Sequence, residues 1–136
     1  MNEGFRNATA NLEAHQKLTD EEYFSIALDP ARKDATLSEK GLEEAANVRS
    51  LVAALNIKLV LVSPMRRAVM TAIISTAGTG AKIVLLPSLR ERMTFKNTMC
   101  STPAELKEMA ENIRPNVEGD FEVDYSLLRD DLWFLD

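Results

Sequence analysis

Apolar residues recur every three or four positions in several stretches of the chain, which is the spacing of an amphipathic helix. The clearest case follows Ser38, which is suited to cap a helix. Its apolar face consists of Leu42, Ala45, Val48, Val52 and Leu55. A shorter helix is predicted from Thr19 to Leu28, and another after the capping box Thr102-Pro103-Ala104-Glu105.

Two short aliphatic runs without polar alternation predict strands. The first run, Ile57 to Val62, is closed by Ser63-Pro64, and the second is Lys82 to Pro87. Since neither run has a polar face, we expect both strands to be covered on both faces, as in a parallel sheet. Between them we expect a helix from Met65 to about Thr76, and Pro64 is well placed as its first residue. Strand, helix and strand in this order form a βαβ unit.

Composition narrows the class of protein. A chain of 136 residues with 46% apolar and 27% charged residues is long enough for one domain with one core. The net charge of −5 gives no general attraction to nucleic acid or to a membrane surface, so any anion site must be local. With a single cysteine, no signal-peptide pattern and no long apolar run, a cytoplasmic location is expected.

The stretch from Leu61 to Arg67 is the best candidate for such a local site. A predicted strand passes there directly into a helix start that carries Arg66 and Arg67. Backbone N–H groups at a helix N-terminus attract anions, and an arginine fork holds two phosphate oxygens. Ligands of open α/β sheets also bind beyond the carboxyl ends of the strands. On spacing alone, an alternative is as well supported as an anion site. In that alternative the two arginines only solvate the helix surface or pair with Glu91.

Three motifs in this region, taken in order, resemble those of the histidine phosphatase superfamily, whose fold is phosphoglycerate mutase-like. Ser63-Pro64, Arg67 and Thr71-Ala72 are similar to its second-strand motif. Leu37 to Gly41 resembles its Leu-Thr/Ser-x-x-Gly segment, and Leu89-Arg90-Glu91 resembles its Leu-x-Glu. The resemblance implies an α/β protein with a three-layer αβα fold, here truncated, in which helices flank a small, mostly parallel sheet.

The resemblance also implies roles for individual residues. Arg67 would hold the phosphoryl group of a small phosphorylated ligand, with Ser63 and Asn7 as further phosphate-binding residues. Glu91 would be the catalytic acid near the leaving group. The implied activity is phosphomonoester hydrolysis or phosphoryl transfer, as in a phosphatase or mutase, without a metal or another cofactor.

The catalytic histidines of the family set this chain apart. The family uses a histidine in an Arg-His-Gly motif as nucleophile, and no such motif occurs in these 136 residues. Glu3 to Asn7 resembles the continuation of that motif, which would put Met1 at the nucleophile, and the second histidine would lie beyond Asp136. We therefore expect residues 1–136 to be one incomplete domain that binds phosphate without turnover. His15, the single histidine, is expected to be a solvated loop residue.

Other functions stay open on the sequence. One alternative is an active phosphomonoesterase or mutase in a longer or assembled form, and another is a non-enzymatic interaction module. Cys100 is not followed by an arginine six residues later, since Leu106 stands there, so a cysteine-phosphatase loop is absent. One histidine and one distant cysteine do not make a metal centre.

The first strand, Ile57 to Val62, is expected to present an unpaired aliphatic edge, because the resemblance places its neighbouring strands outside this chain. Two chains would then join through this edge as a homo-oligomer, or the acidic tail 116–136 would fold over it. The candidate packing anchors in that tail are Tyr125, Leu127, Leu128, Leu132, Trp133 and Phe134.

Overall fold

A computed structural model describes residues 19–29, 31, 33–90, 100–131 and 133 of the chain. Within these residues the helices are α1 (Asp20–Ala27), α2 (Glu39–Asn47), α3 (Arg49–Ala54), α4 (Arg66–Thr76) and α5 (Pro103–Ile113). The strands are β1 (Leu59–Val62), β2 (Lys82–Leu85) and β3 (Glu122–Asp124). Short 3-10 turns follow β2 at Pro87–Leu89 and α5 at Arg114–Asn116.

The three strands form one parallel sheet in the order β1-β2-β3. Leu59 of β1 lies opposite Lys82 of β2, which in turn lies opposite Glu122 of β3. The predicted βαβ unit is therefore confirmed as β1-α4-β2, and the α/β class with a small parallel sheet is confirmed with it. The third strand was not predicted.

The predicted helix caps are confirmed. The Ser38 hydroxyl accepts a hydrogen bond from the Gly41 N–H at 3.1 Å, and Thr19 and Thr102 each form a complete capping box. The predicted single helix after Ser38 is wrong in one respect, because the helix is interrupted at Val48, which ends α2 and precedes α3. The predicted apolar face is buried only at its beginning, since Ala45 is 4% exposed and Leu55 is 63% exposed.

The core lies around α4. Val69 and Ile73 of this helix, Ile83 and Leu85 of β2, and Leu106 of α5 are all fully buried. Burial of each such side chain stabilises the fold by about 1.5–3 kcal/mol. The helix α4 is thereby fixed against β2 and α5, and its first turn is held at the carboxyl end of β1.

β1 is the edge strand of this sheet, with pairing to β2 alone among the described residues. Leu59 and Leu61 are 54% and 52% exposed, so the prediction that both faces of β1 are covered is wrong. A purely aliphatic run indicates two apolar faces, but it does not tell what lies against them. The predicted unpaired edge, in contrast, is seen within the described part of the chain.

The described part of the tail, residues 116–131 and 133, contributes β3 on the side of β2 away from β1. The expectation that the tail folds over the β1 edge is therefore wrong for these residues. Among the proposed anchors, Leu128 and Trp133 are buried, Tyr125 is half-buried and Leu127 is exposed. Leu132 and Phe134 lie outside the described residues.

Candidate functional site

The residues between β1 and α4 lie at the carboxyl edge of the sheet, where two parallel strands end together. The Leu86 N–H donates to the Val62 carbonyl at 2.9 Å, so pairing extends one residue beyond β2. Ser63 directly follows β1, and the 3-10 turn that leads towards Glu91 directly follows this pairing. The sheet thus brings the Ser63 segment and the start of the Leu89-Arg90 segment to the same edge.

Helix α4 begins at Arg66, with Met65 in extended geometry (ψ 138°) as its N-cap. The prediction that Pro64 is the first helical residue is wrong, since Pro64 is buried two positions before it. The helix start is instead fixed by a side chain from elsewhere, because the Arg66 N–H donates to Asp34 Oδ1 at 2.9 Å. A carboxylate at this position also suits the positive end of the helix dipole.

The two arginines occupy the first turn of α4, and both side chains are half-buried. Their charges reach Asp34, since both lower the pKa of that carboxyl group. Arg66 Nε and Ser63 Oγ are buried and lack a hydrogen-bond partner among the residues that the structure describes. Buried donors of this kind are costly unless something accepts from them, so the end of β1 is suited to receive an oxyanion.

Asp34 is the residue of this site that sequence reasoning missed. Its side chain is 1% exposed and accepts two hydrogen bonds, from the Arg66 N–H at 2.9 Å and from the Ser101 hydroxyl at 2.5 Å. Its backbone has φ +42°, a left-handed conformation that aspartate and asparagine tolerate better than most residues. An aspartate in a polar loop has no periodic signal, and both partners are more than 30 residues away.

Burial raises the pKa of Asp34 above its usual value of 3.8, against the opposing effects of the Ser101 hydroxyl, the Arg66 N–H and the two arginine charges. Cys100 lies next to this cluster, with its Sγ 3.7 Å from Met65 Sδ. Burial and the charge of Asp34 raise the pKa of Cys100 to about 11. The buried thiol is therefore protonated at neutral pH and is a poor nucleophile.

Of the residues predicted for the site, Ser63 and Arg67 are brought to the end of β1. Glu91, Asn7 and His15 lie outside the described residues. No group of three or more histidine, cysteine or acidic side chains that could hold a metal ion occurs in the described ranges. Nor is any helix in that part of the chain both long and apolar enough to cross a bilayer.

An open cavity of about 1120 Å³ lies elsewhere, between α5 and β3. Its arginine is already neutralised, because Arg114 is 2.9 Å from a Glu111 carboxylate oxygen and 3.1 Å from one of Asp120. Its lysine, Lys107, lies over the ring of Tyr125 at 5.5 Å from the ring centre. The cavity is therefore less suited to an anion than the end of β1.

The family model described as the histidine phosphatase superfamily (branch 1) matches residues 30–124, which is more than half of the chain. Neither a curated protein nor a solved structure matches. The matched range includes Asp34, the Leu37 to Gly41 segment and the β1-α4-β2 unit with both arginines.

Proposed function

Since this chain belongs to the histidine phosphatase superfamily, branch 1, we propose that it binds phosphate esters at the carboxyl end of β1 through the Arg67 guanidinium. The observation that carries the proposal is the position of Arg66 and Arg67 in the first turn of α4, directly after β1. A guanidinium fork matches two oxygens of one phosphoryl group, and the helix start adds partial positive charge.

The chemistry around Arg67 supports an oxyanion as ligand. Ser63 Oγ and Arg66 Nε are buried donors that lack a partner among the described residues, and a phosphoryl oxygen would accept from them. We assign Asn7 as a further phosphate-binding residue and Glu91 as the acid near the leaving group, both from the family resemblance. For Glu91, the support is that its preceding segment leaves the sheet at the edge where Ser63 lies.

We propose that this chain binds phosphate esters without turning them over. Phosphoryl transfer through histidine needs an imidazole held in line with the phosphorus atom. The 136 residues contain one histidine, His15, outside the family's Arg-His-Gly pattern, and the Cys100 thiol is protonated. Incubation with a chromogenic phosphomonoester is expected to give no product above a blank, and multiple turnovers would contradict this proposal.

Loss of the Arg67 side chain is expected to abolish phosphate binding. Phosphate at 100 times its dissociation constant would stabilise the wild-type chain by about 2.7 kcal/mol, seen as a rise in melting temperature. Arg67→Ala should show no rise, whereas the exposed Arg129→Ala should respond like wild type. Sodium chloride at matched ionic strength separates binding from general salt effects. An equal rise in Arg67→Ala and wild type would contradict the proposal.

The open edge of β1 supports a further proposal, that two copies of the chain join through it. Leu59 and Leu61 are exposed on a strand with a free edge among the described residues, and such edges pair with other strands. An active phosphomonoesterase or mutase in an assembled or longer form is the second candidate function, and this edge is the observation that favours it.

The single buried cysteine is compatible with action in the cytoplasm.

Light scattering after size exclusion is expected to give the mass of a dimer for the wild-type chain. Leu61→Lys places a charge on the edge strand and should give a monomer, because edge lysines block pairing. Leu127→Lys alters a similarly exposed leucine in the tail and should stay dimeric. A wild-type chain that is monomeric at every concentration would refute this proposal.

A further inference from the structure

Three separate segments of the chain meet at the Asp34 carboxylate. Its Oδ1 accepts from the Arg66 N–H at the start of α4, and its Oδ2 accepts from the Ser101 hydroxyl just before α5. Ser101 is 1% exposed, and its carbonyl accepts from Trp133 Nε1 at 3.0 Å. The start of α4 is thus tied through one buried carboxylate to the start of α5 and to the tail.

We propose that Asp34 is the positioning residue of the anion site, which holds the first turn of α4 in place by its two hydrogen bonds and weakens anion affinity by its charge. The proposal rests on the proposed binding of phosphate by Arg67 and adds a residue that contacts no ligand itself. Asp34 acts through Arg66, whose N–H it holds, and through the helix turn that carries Arg67.

The two parts of this role are physically separable. The hydrogen bonds need an acceptor oxygen at the Arg66 N–H and a polar atom at the Ser101 hydroxyl, and an asparagine side chain supplies both. The charge is a different matter, because a buried carboxylate close to Arg66 and Arg67 offsets part of the positive potential that attracts an anion. An asparagine also suits the left-handed backbone at this position (φ +42°).

Other ionisable groups near Asp34 could also affect the pH dependence of anion binding. Arg66 and Arg67 face it from α4, and Cys100 faces it from the segment before α5. Cys100, with a pKa of about 11, stays neutral in acid. Glu105 of α5 has a lowered pKa and interacts with Arg66 and Lys33, so it titrates in the acid range and must be controlled for.

Sulfate is the suitable probe, because it remains a dianion from neutral to mildly acidic pH, whereas phosphate does not. We would measure its dissociation constant by calorimetric titration of the full chain between pH 4 and pH 7, for wild type, Asp34→Asn, Asp34→Ala, Ser101→Ala and Arg67→Ala. Asp34→Asn is expected to bind sulfate about fivefold more tightly than wild type at pH 7. Asp34→Ala is expected to bind about tenfold more weakly, since it frees the helix start. Ser101→Ala is expected to bind more weakly as well, since it releases the carboxylate that holds the Arg66 N–H.

The pH profile adds a readout that a purely structural role would not change. As pH falls towards the raised pKa of Asp34, protonation removes its charge, so wild-type affinity should rise. The Asp34→Asn profile should lack this rise, apart from the slope that Glu105 and the other carboxylates give to both proteins. If Asp34→Ala does not fold, Asp34→Asn and Ser101→Ala still decide the question.

Two patterns of results would overturn the proposal. Asp34→Asn with the affinity and pH profile of wild type would show that the charge has no effect on the site. Wild-type affinity in Ser101→Ala and Asp34→Ala would show that the hydrogen bonds do not position it. In both cases Arg67→Ala still abolishes binding if the proposed function is right, whereas a wild-type chain that binds no sulfate would reject that function itself.

Discussion

Replacement of Gly119 by alanine is expected to lower the free energy of unfolding by about 3 kcal/mol. Gly119 has φ +100°, and a Cβ atom there would lie 2.7 Å from the Gly78 nitrogen and 2.8 Å from the Gly78 Cα atom. Both of these are backbone atoms, so no side chain can turn aside to relieve the contact. The Gly78 N–H also donates to the Asp120 carbonyl at 2.8 Å, and this bond would be disturbed as well.

The chain offers a matched control at Gly80. Its φ of +75° is also positive and disfavours alanine, but a Cβ atom there would meet nothing within 4 Å. Gly80→Ala should therefore cost only the backbone strain, about 1 kcal/mol. Urea unfolding followed by Trp133 fluorescence measures both variants, and equal stability of the two would show that the approach of Gly119 to Gly78 is not needed.

The second large effect is expected at Trp133. Its side chain is 3% exposed, and its Nε1 donates to the Ser101 carbonyl at 3.0 Å. Trp133→Ala removes a buried indole and leaves a cavity, which should cost about 4 kcal/mol of stability. Since Ser101 is also the partner of Asp34, the variant loosens the segment that supports the start of α4.

A smaller change separates the two contributions of this tryptophan. Trp133→Phe keeps most of the buried volume but leaves the Ser101 carbonyl without its donor, which should cost about 2 kcal/mol. Both variants lack the single tryptophan of the chain, so unfolding must be followed by far-ultraviolet circular dichroism. Stability within error of wild type in Trp133→Ala would contradict the description of the tail as part of the core.

Local chemistry explains which parts of the fold were predictable. Ser38 and the Thr102 to Glu105 box act on N–H groups within three residues, so the sequence alone contains both partners. The β1-α4-β2 unit was predictable from two aliphatic runs around an intervening helix. β3 was not, because three residues with two carboxylates are a poor strand sequence and form one through pairing with β2.

The residues of the candidate site were also predictable only where their partners are close in sequence. Ser63 and Arg67 belong to one short motif, so the passage from strand to helix is enough to predict their position. Asp34 depends on Arg66 and Ser101, which are 32 and 67 residues away. Contacts of that span follow from the packed fold and have no local pattern. The exposure of Leu59 and Leu61 was missed for a related reason, since a strand sequence does not reveal its neighbours.

The central claim is that an anion binds at the end of β1, and a titration of the nitrogen-15-labelled chain with phosphate tests it most directly. The amide resonances of Ser63, Arg66 and Arg67 are expected to move together and to saturate with one dissociation constant. In Arg67→Ala the amide resonances of Ser63 and Arg66 should not shift when phosphate is added. Shifts confined to the cavity between α5 and β3, or no saturable shift at Ser63, Arg66 and Arg67, would contradict the claim.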